Sequence, residues 1–131
     1  MKKSFTYAPQ PFTPMPKNSK NLPVCSSVYV TNSNKDGRKI PDKVFKQRIK
    51  EVETMLLKLF GGHSTDQLEH GEYLSKHNKL VSEKVARITV FSNVHVYKKH
   101  QNALKKWLLQ KKNEWNQETI GYEFESDLYY I

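Results

Sequence analysis

"PDKVFKQRIKEVETMLLKLF", residues 41–60, is the stretch that decides the fold. Its apolar residues recur at spacings of three and four, which puts them on one face of an α-helix. Pro41 and Asp42 suit the first turn of a helix, and the glycines at 61 and 62 can end one, because glycine adopts the left-handed conformation readily. The sequence therefore predicts a helix with one buried face. The residues of that face are Phe45, Ile49, Val52, Leu56 and Leu59.

Strand patterns lie directly before and after this helix. Residues 24–30, "VCSSVYV", alternate valine with smaller or polar residues, which is the two-residue period of a strand. After the helix we expect a short strand near 63–70 and a turn at Gly71. Residues 80–91, "LVSEKVARITVF", alternate again and predict a longer strand.

The remainder of the domain repeats the order of helix and strand. Asn93 can cap a second helix over about 94–113, and residues 118–126, "ETIGYEFES", alternate as a last strand. The order strand, helix, strand, strand, helix, strand predicts an α+β fold, the ferredoxin-like βαββαβ arrangement. In it, a four-stranded antiparallel sheet carries both helices on one face. We expect a single domain of this kind over 24–131.

The segment before this domain has a different composition. Residues 1–23 contain five prolines, so a proline-rich extended tail is expected there. The chain start lacks the apolar run of a signal peptide, and no stretch approaches the ~20 apolar residues that span a membrane. The single cysteine, Cys25, fits a reducing compartment. We therefore expect a cytoplasmic protein that does not contact membranes.

Charge points to two candidate binding surfaces. The net charge is +9, and much of the excess lies on the two predicted helices, which would attract anions if they lie side by side. The candidate residues of these basic helices are Lys43, Lys46, Lys50, Lys98, Lys99, Lys105 and Lys106. The second surface is the sheet face that no helix covers. Its candidate residues are Glu83, Arg87, Thr89 and Glu123.

Three histidines, His63, His70 and His77, recur every seven residues and raise the question of a metal or acid–base site. Zinc ligands are usually delivered as close pairs, two to four residues apart, and strand residues seven apart alternate faces. A polar hairpin is therefore the better interpretation. We expect no metal, no cofactor and no catalytic residue, since Cys25 in a first strand fits a core position better than a nucleophile.

About 70 residues, from the first helix to the last strand, carry short motifs in a fixed order. They are Gly62 with Thr65, Gly71 with Tyr73, the strand entry from Val81 to Glu83, and Gln117-Glu118-Thr119-Ile120. In this pattern the sequence resembles an uncharacterised family of small bacterial and phage α+β domains. It departs from that family by a tyrosine where tryptophan is more usual and by the added tail. The resemblance implies the fold and no activity.

These features are compatible with three functions. The preferred hypothesis is a non-enzymatic binding module, encoded by a phage or other mobile element, which holds nucleic acid or a nucleotide-like ligand and forms a homodimer. The first alternative is a protein–protein adaptor or inhibitor that uses the uncovered sheet face and the aromatic tail. The second is a phosphodiester hydrolase that acts through His63, His70 and Glu83.

Overall fold

The protein is seen in a computed structural model that describes residue 16, residues 21–74 and residues 77–131. For residues 68–71 and 73 it describes the backbone alone. The proline-rich tail expected over 1–23 therefore lies largely outside the described residues.

The described part of the chain confirms the α+β class and adds one strand. The element order is β1 (Val24–Thr31), α1 (Asp42–Phe60), β2 (Ser64–Leu74), β3 (Leu80–Ser92), α2 (Val94–Glu114), β4 (Gly121–Phe124) and β5 (Asp127–Tyr130). The prediction of four strands is wrong by this last strand.

The sheet is antiparallel and is built around β1. Its strand order is β2-β3-β1-β4-β5, so β1 pairs with β3 on one side and with β4 on the other. Val28 lies opposite both Ile88 of β3 and Tyr122 of β4. Residues directly opposite each other share a face of the sheet, so these three side chains point the same way.

Both helices contribute to one core on that face. The fully buried core side chains include Val52 and Leu56 of α1, Leu104 and Leu108 of α2, and Ile88 of β3. The predicted apolar face of α1 is buried except for Leu59, which is half-buried. The opposite face of the sheet, called here the open face, is covered by no element of the described chain.

The turn predicted at Gly71 is wrong. Gly71 lies inside β2 and is paired with Glu83, and the register shifts between Leu68 and Gly71. A β-bulge of this kind lets a strand absorb an extra residue without ending. As a result β2 continues to Leu74, and the two strands form a long hairpin that extends past the last residue paired with β1.

β5 was missed because its turn lacks the usual sequence signal. Glu125 and Ser126 connect β4 to β5 with φ angles of 51° and 74°. Two-residue hairpin turns with positive φ are normally marked by asparagine, aspartate or glycine, and neither residue is one of these.

Two adjacent leucines of α1 provide a test of this packing. Leu56 is 1% exposed in the core, whereas its neighbour Leu57 is 53% exposed. Replacing Leu56 by alanine should lower the free energy of unfolding by roughly 2–5 kcal/mol, because it leaves a cavity between helix and sheet. Leu57→Ala is the matched control and should change it little. Urea denaturation checks both, and equal effects would contradict the placement of α1.

Candidate functional site

A row of polar side chains crosses four strands on the open face. Arg87 of β3 donates from Nη2 to Oδ2 of Asp66 on β2 at 3.0 Å. On the other side, the Tyr29 hydroxyl of β1 donates to Oε1 of Glu123 on β4 at 2.6 Å. Tyr29 and Arg87 are paired directly across β1 and β3. The row therefore runs continuously from Asp66 to Glu123.

Gly121 leaves the space that the Tyr29 side chain occupies in this row. A Cβ atom at Gly121 would lie 3.3 Å from Cβ of Tyr29 and 3.5 Å from its ring atom Cδ1. That is tight, so a residue with a side chain there would push the ring aside. Burial raises the pKa of the Tyr29 hydroxyl, and its hydrogen bond to Glu123 raises that pKa further, while Arg87 opposes the shift. The hydroxyl therefore stays a neutral donor to Glu123.

Thr89 lies in the same face but is already engaged. Its Oγ1 shares a hydrogen bond of 2.7 Å with Oγ of Ser27, and Thr89 is 8% exposed. The two hydroxyls satisfy each other in a buried position. Thr89 is therefore a buried residue of the open face whose hydroxyl already has a partner.

Glu83 forms the second feature of the open face, near the start of β3. Oγ of Ser33, which is 3% exposed, donates a short hydrogen bond to Oε2 of Glu83. The Lys39 ammonium binds the carbonyl oxygen of Ser82 next to it. Burial raises the pKa of the Glu83 carboxyl above its usual range, while Ser33 and Lys39 lower it in part. The Glu83 carboxyl is thus partly buried, and Ser33 holds it in a fixed direction.

The two features can serve one elongated ligand. Glu83 and Arg87 are four residues apart on β3 and point to the same face. At about 3.3 Å per residue this spacing is roughly 13 Å. A ligand with a cationic end and a flat end about that far apart could contact both.

Part of the open face was predictable from the sequence. Glu83, Arg87 and Glu123 lie on it as expected from alternation along the strands. Tyr29 could have been found by the same alternation along β1. Asp66 and Ser33 carried no such signal, because their partners are 21 and 50 residues away in sequence.

The lysines of the basic helices are all exposed. Lys43, Lys46 and Lys50 line α1, and Lys98, Lys99, Lys105 and Lys106 line α2. Lys46 forms an ion pair with Asp42 at 3.5 Å. An open groove of about 440 Å³ lies next to α1, lined by Lys50, Met55 and Trp107 among others. A binding role for these seven lysines stays a prediction.

The histidines do not assemble into a site in the described residues. His63 precedes β2, and His77 follows it across the 11 residues of that strand. The side chain of His70 lies outside the described residues. Over the described ranges, no group of three or more histidine, cysteine, aspartate or glutamate side chains is placed to hold a metal ion.

Within the same ranges, no helix is both long enough and apolar enough to cross a membrane.

No protein-family model matches this sequence, and no curated protein sequence matches it significantly. Two solved structures share its fold. A phage SAM lyase in complex with S-methyl-5′-thioadenosine superposes with a TM-score of 0.63 at 14% identity, over 90% of this chain and 95% of that one. A phage SAM lyase in the apo state gives a TM-score of 0.57 at 14% identity, over 82% and 87%.

This likeness corrects the functional hypothesis drawn from the sequence. The preferred hypothesis was a non-enzymatic module that binds an anionic partner, and the proteins that share the fold are enzymes. The hypothesis rested on the total charge of the helices, which indicates what a surface attracts and does not identify a reaction. The comparisons give no support to the adaptor or the phosphodiester hydrolase alternative. The side chain of His70, which the hydrolase would use with His63 and Glu83, lies outside the described residues.

The raised pKa of Glu83 predicts how stability depends on pH. A carboxyl with a raised pKa binds its proton more tightly in the folded than in the unfolded chain, so stability falls as pH rises from the usual glutamate value of 4.5 through the raised value. Glu83→Gln cannot ionise and escapes that loss. The variant should therefore gain stability relative to the parent across this window, with a constant difference above it.

Thermal unfolding measured at a series of pH values checks this expectation. Glu118→Gln, at an exposed position after α2, is the control and should follow the parent at each pH. Parallel curves for Glu83→Gln and the parent would show that the pKa of Glu83 is not raised.

Proposed function

We propose that this protein is an enzyme that cleaves S-adenosylmethionine (SAM) and releases S-methyl-5′-thioadenosine, with the open face as part of its active site. The observation that carries the proposal is Glu83, a partly buried carboxyl oriented by Ser33, on a fold shared with a phage SAM lyase. Function does not follow from fold alone, so the local chemistry must support it.

Local charge supports a cationic substrate. SAM carries a sulfonium and an ammonium group, and the open face presents Asp66, Glu83 and Glu123 against Arg87 and Lys39. A carboxylate in a poorly hydrated position attracts a cation more strongly than one in water. We assign the ammonium group of SAM to Glu83 and the adenosine end to Tyr29, whose ring lies over Gly121.

The bonds that break and form when SAM is cleaved define what the residues of the open face must do. Release of S-methyl-5′-thioadenosine breaks the bond between the sulfonium sulfur and the four-carbon chain, and the bonding electrons stay on sulfur. A lyase adds no water, so the carbon chain must close by attack of its own carboxylate or lose a neighbouring proton to become unsaturated. In the first route, opposite charges neutralise each other, which a poorly hydrated site favours. Glu83 would hold the chain in the reactive conformation.

The uncovered apolar part of the open face supports self-association. Phe91, Leu128 and Tyr130 are more than half exposed, and Leu128 and Tyr130 are paired with residues of β4 that border Tyr29. Covering them with a second copy would be favourable at about 25 cal/mol per Å² and would exclude water from the site. The homodimer expected from the sequence is one form of this assembly.

Light scattering of the purified protein tests the assembly. A mass that is a multiple of the 15.4 kDa chain is expected, and twice that mass would confirm the dimer. Leu128→Glu, which introduces a charge into the apolar part of the face, should reduce the mass to that of one chain. A monomer at high concentration would contradict self-association.

The order of the first four strands supports a further proposal on architecture. The order β2-β3-β1-β4 is that of a ferredoxin-like sheet, and β5 extends it at the β4 edge. We also place the enzyme in the cytoplasm, where the free thiol of Cys25 would be stable.

Turnover of SAM tests the function directly. Purified protein incubated with SAM should form S-methyl-5′-thioadenosine, detected by liquid chromatography, and mass spectrometry of the four-carbon product separates a lactone from an unsaturated amino acid. Glu83→Gln should lower the rate by roughly 100-fold or more, because it removes a preorganised charge. Glu114→Gln, far along α2, is the control and should retain the parent rate. The absence of product from the parent protein would refute the proposal.

A further inference from the structure

We propose that Gln117 is a positioning residue that sets the direction and charge state of Glu83 through Ser33. The inference rests on the proposed function, because it assigns Gln117 a role in the same site. Gln117 follows α2 and does not contact Glu83; the connection is made by one intervening residue.

The first step is how Ser33 is held in the loop that follows β1. Ser33 forms a bridge with Lys39, and the amide of Asn34 donates to the carbonyl oxygen of Arg38 at 2.9 Å. The Asn34 side chain accepts from the amides of Asp36 and Arg38. These bonds close the loop on itself, so the Ser33 hydroxyl points at Glu83 from a small, well-bonded turn.

The second step is that the Gln117 side chain hydrogen-bonds this turn to the segment that follows α2. Its Nε2 donates to the carbonyl oxygen of Ser33 at 2.7 Å and to Oγ1 of Thr31 at 3.1 Å. A backbone bond of 2.9 Å from Lys35 to Asn116 joins the same two segments. The Thr31 hydroxyl also donates to the Ser33 carbonyl oxygen, at 3.5 Å, so Gln117 makes the shorter of the two side-chain bonds that hold the Ser33 backbone near β1.

The third step concerns what the Glu83 carboxyl faces. From the loop, Ser33 donates to it, and the Lys39 ammonium lies near enough to lower its pKa. On β3 itself, Arg87 shares its face and is bound to Asp66. The Ser33 hydroxyl is thus the direct hydrogen-bond donor that the described residues give Glu83, and moving it by a fraction of an ångström would weaken the bond.

The consequence is a defined change in Glu83 when either residue is removed. A hydrogen bond donated to a carboxylate favours its charged form, so losing it raises the pKa. Ser33→Ala removes the donor itself. Gln117→Ala leaves the donor but frees its backbone, so it should shift the pKa of Glu83 in the same direction and by less.

The experiment is a carbon-13 NMR titration of the glutamate carboxyls, with the Glu83 signal assigned by its absence in Glu83→Gln. The pKa of Glu83 should rise in Ser33→Ala, rise less in Gln117→Ala, and stay at the parent value in the control Gln110→Ala, an exposed position on α2. The double variant Ser33→Ala/Gln117→Ala should match Ser33→Ala alone, because Gln117 acts through Ser33. Additive shifts in the double variant, or no shift in Gln117→Ala, would overturn the proposal.

A second measurement separates this role from a loss of stability. In Gln117→Ala, the acidic limb of the pH–rate profile for SAM cleavage should move to higher pH. At a pH on that limb, the rate should be roughly tenfold below that of the parent, which corresponds to the loss of about one hydrogen bond. A loss of rate that is equal at all pH values would indicate a structural effect and contradict the positioning role. The titration needs no turnover, so it decides the proposal even if the parent protein does not cleave SAM.

Discussion

The central position of β1 is the constraint on which the rest of the structure depends. This strand pairs with β3 along its whole length of 8 residues and with β4 on its other side. Its alternation sends Val28 and Val30 into the core and Tyr29 to the open face. The same two-residue period therefore anchors the helices on one side of the sheet and brings the polar side chains together on the other.

The core on the helix side has a polar member that the apolar pattern of α1 could not show. Arg48 is 9% exposed, and its guanidinium carbon lies 5.4 Å from the ring centroid of Trp115. Its Nε and Nη1 have no hydrogen-bond partner in the described part of the chain. Burial lowers the pKa of Arg48, and Glu51 opposes that shift. The contact with the ring and the nearby carboxylate offset part of the cost of burying this charge.

Local periodicity predicted most of the elements, because each helix or strand repeats its own pattern. The buried face of α1 followed from spacings of three and four, and the alternation in β3 separated Ile88 from Arg87. β5 did not follow, since its turn uses Glu125 and Ser126 in a conformation that sequence marks best with glycine or asparagine. The arrangement around Glu83 did not follow either. Its donor Ser33 and the more distant Gln117 are brought to it only by the folding of the sheet.

Under the proposed function, the charge of the ligand follows from the groups nearest to it and not from the net charge of the chain. The chain carries a net charge of +9, which led the sequence interpretation to an anionic partner. Exposed lysines on the outer surfaces of the helices are separated from the open face by the helices and the sheet, more than the ~8–10 Å over which salt screens charges in solution. Glu83 lies on the open face and is partly buried, so its interaction with a ligand bound there would be screened less. A cationic substrate on the open face is therefore compatible with a strongly basic protein, and the helices do not need to share its function.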